Sequence, residues 1–364
     1  MNAFSSNTAC HGVLELCFLR RKRMVTKEKR GLLRRLAGYG LLVLAVTGAL
    51  LALLRLRPKQ ARAAQETAAP TRPPTEMAVP VRPAEPMQET ESVETEQPAT
   101  ETTLPAPLPE GYREEYVLPP LSDGTLVLVN RAFGFDPDGV ETISINDLRS
   151  IHYGVRSTEL GLRPEVTEAL NAWLDDFFDE SGIWVLNVVA GHRSVEEQQQ
   201  LYDKAVSNNG QAYADLYLAL PGHSEHHTGL ALDLDTYFPE TNESGGFSGT
   251  GEYQWAAEHA WEYGFVLRYP QDKTALTGIG YESWHYRYVG LPHSYLMVSS
   301  GLCLEEYTDL LRHYPFDGTH LTTECLGVSY ELYFCPAGRL IVPTDRAYTV
   351  SGNNVDGYVV TIQN

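Results

Sequence analysis

One stretch of fourteen residues, Gly222 to Asp235, combines loop histidines with strand carboxylates, and both kinds of side chain can bind a metal ion. Its end alternates, with three leucines on one side of the chain: Leu230, Leu232 and Leu234. This period of two is typical of a β-strand with one buried face, which would put Asp233 and Asp235 on the polar face. Three histidines precede that strand: His223, His226 and His227. An imidazole and a carboxylate from this stretch could therefore meet at one point.

A second stretch, Gly280 to Tyr286, supplies a third candidate ligand, His285. Imidazole and carboxylate groups are suitable zinc ligands, and a catalytic zinc site has three protein ligands and one open position. Glu282 lies three residues before His285 and could act as a general base. The remaining elements must bring the two stretches together and deliver a substrate to them.

Three motifs resemble those of one enzyme family. SEHHTGLALD resembles the S-x-H-x-x-G-x-A-x-D motif of the VanY-type D-Ala-D-Ala carboxypeptidases, which belong to a zinc peptidase superfamily with lysostaphin and hedgehog-like folds. YESWHYRYVG resembles the family's E-x-W-H motif, and AGHRSVEEQ resembles its arginine motif. The resemblance covers residues 160–307 and keeps the motif order, which is a far more specific signal than one motif alone. It implies a small α+β fold, in which an antiparallel sheet carries the ligands and helices flank it.

The resemblance also implies roles for individual residues. His226, Asp233 and His285 are the expected zinc ligands, because His226 alone among the loop histidines keeps the H-x6-D spacing of the motif. Glu282 would take a proton from the attacking water and return one to the leaving amine. Arg193 would stabilise the oxyanion of the tetrahedral intermediate. The expected substrate-binding residues are Gln198, Ser224 and Trp284.

Alternative roles remain open for several neighbouring residues. Without the resemblance, Arg193 could equally be a surface arginine paired with a nearby acid. Asp235 could orient a ligand or cap a turn, and His223 and His227 are expected to be loop residues. Ser283 stands where the family usually has proline, which loosens the turn without changing a ligand.

The resemblance predicts a zinc enzyme that removes the terminal D-alanine from peptidoglycan stem peptides. D,D- and L,D-carboxypeptidases share these motifs, and so do peptidoglycan endopeptidases. A wall-binding or sensor protein without catalysis is a further alternative, but the intact Glu282 and the complete ligand set favour an enzyme. The chain contains no S-x-x-K, G-x-S-x-G or H-E-x-x-H motif, and residues 109–302 contain no cysteine, so serine and cysteine designs are disfavoured.

Composition and charge bear on partners and location. The net charge of −19 argues against nucleic acid, because contact with a phosphate backbone needs a basic surface. Residues 1–35 are basic, and residues 36–54 carry no charge over a length that is about enough to cross a bilayer core of ~30 Å. We expect a single-pass membrane anchor with an extracytoplasmic catalytic domain, although a buried helix or a cleaved signal peptide would also fit. Met24 could be the true start.

The remaining chain divides by composition. Residues 55–110 are rich in Pro, Glu and Thr, which predicts a disordered linker that could serve as a spacer into the cell wall. Residues 111–315 would form the zinc peptidase domain, and residues 316–364 a small β-rich appendage. In that appendage Cys325 could pair with Cys335, or the thiols could be free.

Local patterns predict the elements around the motifs. Apolar spacing and an initial proline predict a helix from Pro164 to about Glu180, followed by a buried strand over 183–190. Ser194 and Glu197 have the spacing of a capping box, so a helix should start there. Further expectations are a short strand, a polar insertion, an amphipathic helix and a β-rich end, at residues 126–130, 203–221, 304–312 and 326–364.

Overall fold

The computed structural model describes residues 107–364, so the predicted basic segment, the anchor and nearly all of the linker lie outside the described residues. Within 107–364, no helix combines the length and the apolar character needed to span a membrane. The helices are α1 (Ile145–Leu148), α2 (Pro164–Ser181), α3 (Val195–Asn209), α4 (Gln211–Tyr217), α5 (Gln254–His259), α6 (Thr274–Thr277), α7 (His293–Ser300) and α8 (Leu304–Leu311).

The strands are β1 (Tyr112–Glu115), β2 (Ile143–Ser144), β3 (Gly154–Val155), β4 (Gly161–Leu162), β5 (Leu186–Ala190), β6 (Ala231–Phe238), β7 (Glu243–Gly246), β8 (Phe265–Leu267), β9 (His285–Tyr288), β10 (Leu321–Cys325), β11 (Val328–Pro336), β12 (Leu340–Pro343), β13 (Tyr348–Gly352) and β14 (Gly357–Gln363). A six-stranded sheet forms the centre of the fold, with strand order β3-β5-β6-β9-β8 and β7 paired to β6. A four-stranded sheet follows it in the chain, with strand order β10-β11-β14-β13, and two further strand pairs are separate, β1-β12 and β2-β4.

The α+β architecture is confirmed, with one difference in the central sheet. The two-residue strand β3 pairs with β5 in parallel, whereas the other strand pairs of this sheet are antiparallel. The sheet is therefore mixed, and its antiparallel part is the part that carries the motif residues.

Helix α2 covers the apolar face of the central sheet. It begins at Pro164, as the pattern predicts, and ends before Gly182, whose positive φ of 71° closes the helix. The fully buried Trp173 packs on Phe265 and Tyr286 of the sheet, and its indole N–H donates to Ala256 O at 2.9 Å. The aromatic stripe of this helix is thus core, and the polar side chains of Asp233 and His285 lie on the opposite face of the sheet.

The predicted start of α3 is confirmed by its hydrogen bonds. Ser194 Oγ accepts from Glu197 N at 3.1 Å, and the Glu197 carboxylate accepts from Ser194 N at 2.9 Å. The predicted polar insertion at 203–221 is helical, because α3 continues into it and α4 follows. A small apolar cluster holds these two helices together, formed by Tyr202, Ala205 and Ala214.

The prediction of a strand at residues 126–130 is wrong. Residues 126–129 are buried, but they join no sheet. Their backbone groups find other partners: Ser351 Oγ accepts from Leu126 N, and Arg287 Nη2 donates to Val127 O at 2.8 Å. A buried apolar run needs its polar groups paired, and here side chains do this instead of a neighbouring strand.

The C-terminal β-rich region is confirmed, and α8 matches the predicted amphipathic helix. Leu304, Tyr307 and Leu311 of α8 share one buried cluster with Leu332 and Phe334 of β11. Cys303, Cys325 and Cys335 are buried and belong to no disulfide within residues 107–364, so Cys325 and Cys335 do not form the bond that the sequence left open.

Candidate metal centre

The pairing of β6 with β9 brings the two motif stretches together. Its register places Asp233 directly opposite His285, 52 residues later in the chain. Side chains opposite each other in an antiparallel pair lie on the same face, about 5 Å apart at Cβ. The result is a short contact of 2.9 Å between Asp233 Oδ1 and His285 Nδ1.

His226 joins this pair from the turn that precedes β6. The turn is a 3-10 helix over Glu225–Thr228, and Gly229 closes it with a φ of 68°. His226 Nδ1 donates to Gly191 O at 2.7 Å, which leaves Nε2 to face Asp233 Oδ2 at 3.5 Å. One ligand atom from each of the three predicted ligands lies within 4.8 Å of the others, the arrangement that a shared metal ion requires.

The protonation states also suit a metal ion. Burial lowers the pKa of His226 to about 4, so its imidazole is neutral at pH 7. Burial alone would raise the pKa of Asp233, but His226 and His285 outweigh it and hold the pKa well below the usual range. Burial would likewise lower the pKa of His285, but the Asp233 and Glu225 carboxylates raise it to about 9. This site therefore attracts positive charge, which a divalent cation can supply in place of the proton.

Glu282 is a buried carboxyl beside the three ligands. Burial raises its pKa to about 7, because the repulsion from Asp233 and the loss of water together exceed the attraction of His285 and Arg193. Its backbone N–H donates to Tyr269 O at 3.2 Å, which fixes the start of the second motif. A carboxyl poised near neutral pH can both accept and return a proton.

Arg193 lies in the turn between β5 and α3, as predicted. Its Nη1 donates to Gln198 Oε1 at 2.7 Å, and Gln198 Nε2 donates to Ala219 O at 2.7 Å. Gln198 is 1% exposed, and the two hydrogen bonds occupy both the oxygen and the nitrogen of its side-chain amide. Its predicted contact with substrate stays a prediction, while its hydrogen bond to Arg193 is part of the structure.

The other predicted residues differ in their surroundings. Ser224 is buried two residues before His226, and Trp284 is half-buried against the main core. Their predicted roles toward substrate stay predictions. Asp235 accepts from Arg156 Nη2 at 2.9 Å and from Asn187 Nδ2 at 3.1 Å, so its partners are not metal ligands.

The two remaining loop histidines have structural partners. His227 Nδ1 donates to Arg193 O at 2.7 Å, and its Nε2 accepts from Gly222 N. His223 Nδ1 donates to Asn130 O at 2.9 Å. Both were expected to be loop residues, and their bonds hold the loop in place.

Sequence reasoning missed Glu225, which lies behind His285. Its side chain is fully buried, and its Oε1 accepts from Arg268 Nε at 2.8 Å and Arg287 Nη1 at 2.9 Å. Its Oε2 lies 3.6 Å from His285 Nε2. The position between Ser224 and His226 gives no local signal of this role, because both arginines lie far along the chain.

Comparison with known proteins agrees with the geometry. The sequence model of the VanY D-alanyl-D-alanine carboxypeptidase family matches residues 159–291. A D-alanyl-D-alanine carboxypeptidase of Enterococcus faecium is 34% identical over 247 residues, which cover 66% of this chain and 75% of the relative. The bifunctional D-Ala-D-Ala dipeptidase and carboxypeptidase VanXYC of Enterococcus gallinarum is 41% identical over 128 residues, which cover 35% of this chain and 67% of the relative.

A solved structure extends the comparison to the fold. The crystal structure of the vancomycin resistance D,D-dipeptidase VanXYg, in complex with a D-Ala-D-Ala phosphinate analogue, is 32% identical with a TM-score of 0.60. The similarity covers 70% of this chain and 98% of the other. The chain therefore belongs to the VanY family of D-alanyl-D-alanine carboxypeptidases, and it is an enzyme of the peptidase class.

Proposed function

We propose that this enzyme is a zinc-dependent carboxypeptidase that removes the terminal D-alanine from peptidoglycan stem peptides. The observation that carries the proposal is the β6–β9 register, which groups His226, Asp233 and His285 within ligand distance beside Glu282. Two neutral or neutralisable imidazoles and one carboxylate form a donor set suited to zinc. The relatives' activity on D-alanyl-D-alanine supports the choice of substrate.

The chain's own residues would divide the work of hydrolysis. Zinc held by His226, Asp233 and His285 would supply Lewis acidity toward water and the scissile carbonyl. Glu282 would accept the proton of the attacking water and pass it to the leaving amine of D-alanine, for which a pKa of about 7 is well matched. Arg193, aligned by Gln198, would donate hydrogen bonds to the developing oxyanion.

Mass spectrometry of defined stem peptides tests this proposal. Residues 107–364 or the full chain would be incubated with pentapeptide and tetrapeptide stems, with and without a chelator. Loss of one alanine that stops with chelator and returns with zinc supports the proposal. A cut within the stem would replace it with an endopeptidase, and no cleavage by zinc-loaded protein would leave only a binding role.

The same two substrates separate the D,D- and L,D-specific variants. Removal from the pentapeptide alone indicates cleavage between two D-alanines. Removal from the tetrapeptide indicates cleavage after the L-centre of the third residue. Each result assigns the specificity, since the two stems differ only in the terminal D-alanine.

We further propose that residues 36–54 anchor the enzyme in the membrane with its catalytic domain outside the cytoplasm. The supporting observations are the uncharged run and the basic residues before it. Protease added to intact spheroplasts should then release a fragment that contains the metal centre. A catalytic domain that stays protected until lysis would refute this topology.

A further inference from the structure

The imidazole of His285 has two nitrogen atoms in different surroundings. Nδ1 lies 2.9 Å from Asp233 Oδ1, on the side of the metal centre. Nε2 lies on the other side, 3.6 Å from Glu225 Oε2. Among residues 107–364, these two facing atoms, Nε2 and Oε2, are buried and have no hydrogen-bond partner. Each atom therefore has the other as a polar group 3.6 Å away and makes no hydrogen bond elsewhere.

Metal binding through Nδ1 imposes a condition on Nε2. A neutral imidazole carries one proton, and the coordinating nitrogen must present its lone pair. If Nδ1 faces the metal, the proton must sit on Nε2, where a buried N–H without an acceptor would be costly. A carboxylate at that position makes this tautomer the favoured one.

Glu225 is held as a carboxylate by two buried arginines. Arg268 Nε and Arg287 Nη1 both donate to Oε1, at 2.8 and 2.9 Å, and protonation of the carboxylate would leave these buried guanidinium groups without a counter-charge. Both arginines contact Oε1, so the second oxygen stays directed at His285. The side chains of Glu225, Arg268 and Arg287 are 0% exposed, which prevents water from weakening this charge.

We propose that Glu225 is a positioning residue for the metal centre: its carboxylate holds the proton of His285 on Nε2 and so directs the Nδ1 lone pair at the metal. The inference rests on the proposed function, because it assumes that His285 binds zinc. It adds to the active site a residue that touches neither substrate nor metal. A carboxylate behind a metal-bound histidine raises its basicity and fixes its ring.

The same network of contacts extends to α8. Arg268 also donates to both oxygens of Glu305, at 2.9 and 2.7 Å. Glu305 lies at the start of α8, whose apolar side packs on the C-terminal sheet. Glu305 of α8 thus holds Arg268, Arg268 holds Glu225, and Glu225 faces His285.

Zinc affinity tests the inference, measured by competition with a chromogenic chelator. Glu225→Gln keeps the shape of the side chain and removes its charge, so zinc affinity should fall about 10–100-fold. Glu305→Gln is the matched comparison, since it weakens the same buried network without contacting His285, and its zinc affinity should fall far less than that of Glu225→Gln. Unfolding of both metal-free variants measures how much stability each loses.

A spectroscopic measurement separates positioning from mere structural support. In ¹⁵N-histidine NMR of the zinc-loaded wild type, His285 should carry its proton on Nε2, and Nδ1 should show the shift of a metal-bound nitrogen. The inference is overturned if the proton is on Nδ1, or if Glu225→Gln binds zinc as tightly as the wild type. It is also overturned if both variants lose affinity in proportion to the stability they lose.

Two arrangements keep the test decisive. Should Glu225→Gln not fold, Glu225→Asp keeps the charge for the arginines but withdraws it from His285, and the same loss of affinity is expected. Wild-type affinity in that variant refutes positioning. Alanine release by the wild type is measured in parallel: a wild type that neither binds zinc nor releases alanine refutes the proposed function itself.

Discussion

Glu225 and Glu282 are both buried glutamates that interact with His285, but their environments shift their pKa values in opposite directions. They are 1% and 7% exposed, so each loses most of its water. Glu225 has two guanidinium groups in direct contact, and they keep its pKa low despite burial. Burial dominates for Glu282 and raises its pKa to about 7.

The difference shows how one side chain can serve two purposes on one site. A buried carboxylate with two direct counter-charges is a fixed negative charge, because protonating it would leave the arginines uncompensated. A buried carboxyl whose pKa burial raises to about 7 can gain or lose a proton at neutral pH. The first carboxylate, Glu225, would position a metal ligand, and the second, Glu282, would transfer protons. The variants below test that division.

Glu282→Gln should have the largest effect. It removes the proton carrier, and general acid–base catalysis contributes about 10²–10⁴-fold, so kcat for alanine release should fall by that factor. The zinc content of the purified variant should match that of the wild type, because Glu282 is not among the three ligands. The exposed Glu159→Gln serves as the matched control. Retained turnover would remove Glu282 as the base, and lost zinc would class it with the ligands.

Arg268→Met should damage the fold more than the chemistry. It leaves Glu225 and Glu305 short of a buried partner, and removing one member of such a network costs about 3–5 kcal/mol. Arg193→Met is the contrasting variant: it should unfold in urea nearly as the wild type does, while its kcat falls about 10²–10³-fold. We call Glu225, Arg268, Arg287 and Glu305 the sealed cluster, and the three metal ligands with Glu282 and Arg193 the working cluster. Equal stability losses for the two arginine variants would contradict this division.

The sequence predicts the working cluster far better than the sealed one. His226 and Asp233 lie on one short motif, and the alternation of β6 already puts Asp233 on the polar face of the strand. The E-x-W-H motif supplies His285 and Glu282 together. These signals are local, and one strand pairing is enough to unite them.

The sealed cluster depends on long-range contacts that no local pattern encodes. Glu225 meets Arg268 and Arg287 from 43 and 62 residues away. Arg287 shares its strand face with His285 and is fully buried, and a charged residue at that position was the one available hint. The missing strand at 126–129 has the same cause, because Arg287 supplies hydrogen bonds that a strand partner would otherwise supply.

Gln198→Leu should have a smaller effect that separates two roles. Loss of its hydrogen bond to Arg193 should lower kcat/KM about tenfold, since bonds to charged groups contribute about 1.5–3 kcal/mol. If Gln198 only aligns Arg193, the loss falls on kcat, whereas a direct contact with substrate would raise KM. The exposed neighbour Gln199→Leu provides the control in the same helix. Steady-state kinetics on the pentapeptide stem distinguish the two cases.

His285 and His293 show the same contrast between a buried group with charged partners and one without them. A variant of His293 gives the smallest predicted effect. The Asp233 and Glu225 carboxylates, despite burial, raise the pKa of His285 to about 9, whereas burial without a charged partner lowers that of His293 to about 3. His293 lies 2.9 Å from Tyr307 Oη and 3.1 Å from Thr361 Oγ1, linking α7 to the C-terminal sheet.

Because the pKa of His293 is lower in the folded state, its stabilisation is complete above pH 6.5 and declines as the pH falls toward about 3. Each pH unit in that window costs up to about 1.4 kcal/mol, so the free energy of unfolding should drop about 1 kcal/mol more from pH 6.5 to 5.5 in the wild type than in His293→Gln. Urea unfolding at the two pH values measures this, and carboxylates common to both proteins cancel. If the free energies of unfolding of the two proteins changed equally with pH, protonated His293 would have a counter-charge in the folded state. Burial would then not determine the pKa of this histidine.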